Sequence, residues 1–291
     1  MAGVMRSMLF APGNHARRLE KVFSRGADAV ILDLEDAVAV AEKPAARAIV
    51  VEALKRARPC PAYVRVNAAD TSFCYGDLVA VIGPWLDGIM LPKVESVEGI
   101  LTIDWLVAQL EREAELEAGS IDLLPIIETG KGLAAFADIA AAGSRIRRTA
   151  FGAGDFTLDV NSIWSREEAE LEYARSHVVT HSRAAGLAAP IDTVWVDLRD
   201  LEGLDASARL ARSRGFAGKM CIHPDQIPVV NAVFTPTDAE VEFSHKVVEA
   251  FDRAEAEGLA AIQVEGKFID YPIVYRAQRI LDLMRAIDAR D

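Results

Sequence analysis

Cysteine is scarce in this chain and cannot pair evenly: Cys60, Cys74 and Cys221 are the only three among 291 residues, and none stands at metal-ligand spacing. That argues against a disulfide framework and against a zinc site, and it predicts a reducing, cytoplasmic setting. Apolar runs of about 18 residues are missing too, and the segment from Met1 to Met8 has no signal-peptide core. Neither a membrane span nor export is expected. Positive charge is in deficit, with 32 Lys and Arg against 44 Asp and Glu. The resulting −12 repels nucleic acid and anionic lipid, so neither is an expected partner. The densest basic run, Arg145, Arg147 and Arg148, reads as a solvated turn. Linkers rich in Pro, Gly and Ser are absent, as are repeats, so no independent second domain is expected.

What is present is a rhythm. Short apolar runs alternate with amphipathic segments, as a parallel sheet requires. Eight can be counted: Ser7–Ala11, Ala29–Asp33, Ala62–Asn67, Gly88–Pro92, Leu123–Glu128, Thr149–Gly152, Pro190–Val194 and Lys219–His223. Eight βα units predict a closed (β/α)8 barrel over residues 1–224. The first helix is expected to start at Asn14 as N-cap. Residues 225–291 exceed what a barrel needs: a long helix from Asp238, a strand–turn–strand passage around Gly266 and a last helix opened by Pro272. They read as an extension of the same unit, a lid or subunit arm, with Ile262, Val264 and Phe268 forming an apolar face.

In such a barrel the chemistry gathers where strands end. Glu128 and Asp155 close the fifth and sixth runs and point at one mouth. Two carboxylates with open positions beside them suit magnesium, which takes one or two protein carboxylates and fills its octahedron with water and substrate oxygens. Taken singly, each acid could equally cap a helix. Gly152, Ala153 and Gly154 precede Asp155, and their backbone N–H groups could approach a substrate carboxylate, although the same residues also suit a tight turn. Arg65 lies inside an apolar strand and needs a partner there. Its fork suits either a substrate carboxylate or an internal ion pair with Asp33, Glu35 or Asp36, and the two are compatible. Asp33, Glu35 and Asp36 crowd behind the second run and read, with Lys93, as groups that brace the site. His223 reads as a loop anchor and Cys221 as packing.

Five segments then resemble a known family in its own order: Arg6-Ser7-Met8-Leu9-Phe10-Ala11-Pro12-Gly13-Asn14, Asp33-Leu34-Glu35-Asp36-Ala37-Val38 with Glu42-Lys43-Pro44 behind it, Arg65-Val66-Asn67, Leu91-Pro92-Lys93-Val94-Glu95 and Gly218-Lys219-Met220-Cys221-Ile222-His223-Pro224. They look like the CitE-like (citrate lyase beta subunit-like) branch of the HpcH/HpaI aldolase superfamily. The resemblance implies magnesium on Glu128 and Asp155, a 2-oxo acid on Arg65 and the glycine loop, and a coenzyme A thioester such as malyl-CoA, citramalyl-CoA or citryl-CoA as substrate. It also implies a phosphate contact at Lys21 and a catalytic Asp270, in Glu265-Gly266-Lys267-Phe268-Ile269-Asp270-Tyr271-Pro272, that reaches a neighbouring subunit's site in a homotrimer or a multiple of it. One departure is that many relatives carry an acidic or larger residue at the position of Gly154, and Phe156-Thr157-Leu158-Asp159 replaces a small-residue stretch. Rival readings are a citrate lyase subunit acting on a carrier-protein thioester, a CoA-independent aldolase and a catalytically idle CoA-binding barrel.

Overall fold

The computed structural model describes residues 3–143 and 145–290. It resolves into two compact units, one of residues 4–232 and one of residues 233–290. The division falls within Gln226–Phe234, the helix that follows the last barrel strand.

All eight apolar runs are strands of one closed parallel barrel. They are β1 (Ser7–Pro12), β2 (Ala29–Asp33), β3 (Ala62–Arg65), β4 (Gly88–Leu91), β5 (Asp122–Ile127), β6 (Ala150–Phe151), β7 (Ile191–Asp192) and β8 (Gly218–Cys221). Closure comes from β1 pairing with β8, Met8 opposite Met220. Alternate residues turn inward, and Met8, Ile31, Tyr63, Met90, Leu124 and Met220 fill the barrel as one cluster. Both faces of every strand are buried, which explains why the runs read as continuously apolar.

β6 and β7 are only two residues long, and a buried charge network supports that side of the wall. Asp192 on β7 accepts from Arg175 Nε at 2.9 Å and from Lys219 Nζ of β8 at 2.7 Å. Arg175 also meets Glu168 at 2.8 Å. The four side chains are at most 1% exposed and their charges balance, the condition under which buried ions are tolerated.

Three expectations need correction here. Asn14 does not cap the first helix, Ala16–Val22, which starts after His15; its amide donates to Glu42 Oε2 at 2.7 Å instead. The supposed solvated turn is largely interior: Arg145 and Arg148 are 7% and 5% exposed. Arg145 is drawn in by Glu111, with two bonds of 2.6 and 3.0 Å, and by Asp104 at 2.6 Å. The third concerns the apolar face of the tail.

In the second unit a helix, Asp238–Ala256, opens with a capping box of Thr237 and Glu240. A hairpin follows, β9 (Ala261–Val264) against β10 (Lys267–Asp270). Its turn residues Glu265 and Gly266 both have positive φ, 49° and 80°, as a two-residue hairpin turn of matching twist demands. That register opposes Ile269 to Ile262 and Phe268 to Gln263. Ile262 and Val264 therefore pack with Ile269 on Val247 and Phe251, while Phe268 lies on the other face, 68% exposed. Among the described residues no helix is long and apolar enough to cross a membrane.

Candidate active site

The register of β2 on β3 sets Asp33 directly beside Arg65. Arg65 Nε and Nη2 donate to the two Asp33 oxygens at 2.8 and 2.7 Å, and Nη1 stands 3.0 Å from Glu35 Oε2. The guanidinium also lies over the Phe10 ring, 4.8 Å from its centroid. Of the two sequence readings for Arg65, the internal ion pair is thus realised. The substrate contact stays compatible with it, because only Nε and one hydrogen of Nη2 are engaged in hydrogen bonds, both to Asp33, and Nη1 meets Glu35 as an ion pair alone. Burial disfavours the charged guanidinium, but Asp33, Glu35 and Glu128 outweigh it and hold its pKa above the ordinary value.

Asp33 also organises the loop behind it, accepting from the N–H of Glu35 at 2.9 Å and of Ala37 at 3.2 Å. Beneath that loop is a residue that sequence reasoning missed. Lys43, 7% exposed, donates to the carbonyls of Leu34 (3.0 Å) and Glu35 (2.6 Å) and to Asn67 Oδ1 (2.6 Å). The available signal was a lysine at the start of an amphipathic helix, directly after the 3-10 turn Val40–Glu42, with no acid at i+4 to explain it.

Glu128 follows β5 and is 3% exposed. Its Oε1 accepts from the backbone N–H of Lys93 at 2.8 Å. Burial, then the charge of Asp155, push its pKa up to about 8. Gly152 makes room for it: a Cβ there would stand 2.5 Å from Glu128 Oε2. Asp155 sits in the first turn of the helix Ala153–Asp159 that leaves β6. Between the two acids and the β2 loop lies Lys93, held at φ 51°, a left-handed backbone uncommon for a residue with a side chain. Its ammonium bonds to Glu35 and stands 3.5 Å from Asp36 and 3.8 Å from Asp155. Burial lowers its pKa, and these acids outweigh that and raise it. Glu35 is moved up by burial, against Arg65 and Lys93.

Asp33, Glu35, Asp36 and Lys93 thus form one ion-pair network around Arg65 and beside Asp155. The glycine loop is narrower than expected. Gly152 N–H is already bound to the Ile127 carbonyl at 3.0 Å and Ala153 N–H to Thr193 Oγ1 at 2.8 Å, which leaves Gly154 as the loop's available donor. Lys21 is exposed on the first helix. Backbone N–H of Asp225 donates to His223 Nδ1 at 3.2 Å, as a loop anchor would have it. Cys221 is fully buried, and burial pushes its thiol up to about 12.

Five carboxylates, Asp33, Glu35, Asp36, Glu128 and Asp155, thus gather around two cations, Arg65 and Lys93, while the Lys43 ammonium beneath them bonds only to carbonyl and amide oxygens. Among the described residues no three His, Cys, Asp or Glu side chains form a ready metal cage. A pair of hard oxygen donors with surplus negative charge nonetheless fits magnesium, which needs only one or two protein carboxylates.

Comparison with known proteins gives a consistent picture. The model of the HpcH/HpaI aldolase/citrate lyase family matches residues 6–224. Citrate lyase subunit beta of Leuconostoc mesenteroides subsp. cremoris is 36% identical over 283 residues, spanning 97% of this chain and 93% of the relative. L-malyl-CoA/beta-methylmalyl-CoA lyase of Cereibacter sphaeroides is 33% identical over 306 residues, spanning 98% and 96%. Among solved structures, CitE from Mycobacterium tuberculosis in complex with magnesium, acetoacetate and coenzyme A superposes with a TM-score of 0.79 at 30% identity, covering 98% of this chain and 99% of the other.

Proposed function

Since this chain belongs to the HpcH/HpaI aldolase/citrate lyase family and is a carbon–carbon lyase, we propose that it cleaves or forms a 3-hydroxy-3-carboxyacyl-CoA thioester, such as malyl-CoA, citramalyl-CoA or citryl-CoA, with magnesium as cofactor. The observation that carries this reading is the mouth itself: buried Glu128 and neighbouring Asp155 at the ends of β5 and β6, with Arg65 at the end of β3.

Glu128 and Asp155 hold the ion, and when bound it supplies Lewis acidity to the substrate hydroxyl. Arg65 offers its remaining N–H groups on Nη1 and Nη2 to the carboxylate beside that hydroxyl, and Gly154 N–H offers a further donor. Loss of the hydroxyl proton to a carboxylate of the mouth makes its oxygen the carbonyl of the departing 2-oxo acid. The pair of the broken carbon–carbon bond passes to the thioester α-carbon, which takes a proton from Asp270 of a neighbouring subunit. In this chain Asp270 begins the helix Tyr271–Asp288 and accepts from Ile273 N–H at 3.4 Å. Assembly as a trimer or a multiple of it is supported by apolar groups left exposed, Phe268 and Tyr275 on the tail and Leu158 and Ile163 beyond Asp155. Lys21 would meet a phosphate of coenzyme A.

The test is the purified chain alone with the three thioesters, with magnesium or with chelator. Magnesium-dependent release of a 2-oxo acid is expected, abolished in Glu128→Gln and Asp155→Asn, with calorimetric magnesium binding lost in both. Unchanged magnesium binding in both variants would refute the site. The identity to citrate lyase subunit beta favours one further reading, a carrier-protein thioester as substrate; activity on free CoA thioesters at wild-type rates without any carrier excludes it.

A further inference from the structure

Beside the metal acids is a cavity that the reaction above does not use. It is open to solvent and holds about 180 Å³ between the loops that follow β6 and β7. Its walls are Trp164, Trp195 and Val196, and its charged groups are Arg166, Asp197 and Asp200. It shares a wall with the proposed centre: the edge of the Trp164 ring lies 3.7 Å from where a Gly154 Cβ would stand, and Gly154 precedes Asp155. The Ala153 N–H to Thr193 Oγ1 bond ties the β6 turn to the β7 loop that carries Trp195.

The indoles are fixed. Trp164 Nε1 donates to Glu168 Oε1 at 3.3 Å, and Trp195, 5% exposed, packs so tightly on the next helix that a Cβ at Gly203 would stand 2.4 Å from its ring. The charges are not neutral. Arg166 is charge-paired with Asp200 by a two-pronged bond, 2.7 and 3.0 Å, that uses two of its five N–H groups. Asp197 accepts only from the Arg199 backbone N–H at 2.9 Å and has no cationic partner among the described residues.

We infer that this cavity receives the substituent at C3 of the 2-oxo acid half of the substrate, and that it selects an uncharged alkyl group over a carboxylate; the inference rests on the lyase reading above. Arg65 and Gly154 N–H fix the carboxylate of that half, so its other substituent is directed past Gly154 toward Trp164. Two indoles and a valine suit methylene and methyl groups. A terminal carboxylate would meet the uncompensated Asp197. Asp197 is exposed, so solvent screens part of the repulsion; at a separation of roughly 6 Å and an effective dielectric of about 40 it costs about tenfold in affinity. Gly154, having no side chain, is what leaves the passage open. The substrate class is therefore a thioester that yields a 2-oxo monocarboxylic acid, in preference to one that yields a 2-oxo dicarboxylic acid.

Two measurements test this on the full chain with magnesium. The first compares kcat/KM for citramalyl-CoA, with a methyl group at the position in question, and citryl-CoA, with a carboxymethyl group, in the wild type and in Asp197→Lys and Trp164→Ala. A preference of at least about tenfold for the methyl substrate is expected. Asp197→Lys should narrow it about tenfold or more by improving citryl-CoA, and Trp164→Ala should raise KM for citramalyl-CoA while malyl-CoA, which has no substituent there, keeps its kcat. The second compares the affinities of 2-oxopentanoate and 2-oxoglutarate, equal in carbon number and different in terminal charge, by calorimetry. Tighter binding of 2-oxopentanoate, reversed or equalised by Asp197→Lys, is expected. If no thioester is cleaved, the lyase assignment falls and the calorimetric comparison still decides the cavity. Equal or tighter binding of the dicarboxylate to the wild type, or a preference untouched by both substitutions, overturns the inference.

Discussion

Lys43→Met isolates how far the catalytic geometry depends on one buried ammonium. Methionine keeps an unbranched apolar stem of similar length and removes only the charge and its donors. Leu34 O would keep its bond from Asn67 Nδ2 at 3.0 Å, and Glu35 O its bond from Val38 N–H at 3.1 Å. Asn67 Oδ1 would lose its partner at 2.6 Å. One orphaned acceptor costs about 1–3 kcal/mol, and the two other charge-assisted bonds about 1.5–3 kcal/mol each. Against this stands the several kcal/mol no longer spent on burying an ammonium. A net destabilisation of about 3 kcal/mol follows, which in a barrel of this size lowers Tm by roughly 6–12 °C. Because the loosened loop carries Asp33 and Glu35, the partners of Arg65, kcat/KM for thioester cleavage should fall by about tenfold to a hundredfold. Magnesium affinity should hold, since Lys43 touches neither Glu128 nor Asp155. Circular-dichroism melting, calorimetry and the cleavage assay read the three effects. A melting point within about 2 °C of wild type, or full activity, would refute the role given to Lys43.

Arg65→Lys should lower kcat/KM about a hundredfold, since a point charge cannot hold Asp33 with two bonds and still present a pair to substrate; near-normal kinetics would leave Arg65 as a purely structural cation. Gly152→Ala has no backbone strain to blame, because Gly152 sits at φ −112° and ψ 99°. Its Cβ must push Glu128, so magnesium affinity should drop at least about tenfold while the melting point moves little, and unchanged affinity would separate Glu128 from the ion. Glu111→Gln tests pH dependence. Burial raises the Glu111 pKa, but hydrogen bonds from Arg145 and from the N–H groups of Gly119 and Ile121 outweigh it and hold it below the ordinary 4.5. A depressed carboxylate contributes stability above its unfolded pKa of about 4.3 and loses it as pH falls through the folded value. The wild type should therefore melt higher than Glu111→Gln at pH 7, with the gap closing as pH drops below about 4; a pH-independent gap would contradict that assignment.

The barrel was legible because each strand is a short apolar stretch buried on both faces, and the strand ends followed at once. Glu128 and Asp155 were singled out by that position, and Arg65 by being a charge within an apolar run. What stayed hidden depends on partners distant in sequence. Nothing near Arg145 announces Glu111, so a buried ion pair read as a solvated turn. Asn14 looked like a cap because its competitor, Glu42, stands 28 residues away. The glycine loop kept its place but not its donors, since Ile127 and Thr193 had claimed them. Phe268 was set on the wrong face because one residue of hairpin register decides it.

The charge quartet behind β6 to β8 has a consequence for how this sequence can change. Removing Asp192, Glu168, Arg175 or Lys219 singly strands an opposite charge in the interior, a loss of about 3–5 kcal/mol. Replacing all four with well-packed apolar side chains could leave the barrel as stable or more so. Every first step away from the charged quartet runs downhill, so neutral drift does not start the crossing and an exchange of oppositely charged partners together is needed. A library that varies the four positions together should recover folded apolar quartets that stepwise evolution from this chain would never visit.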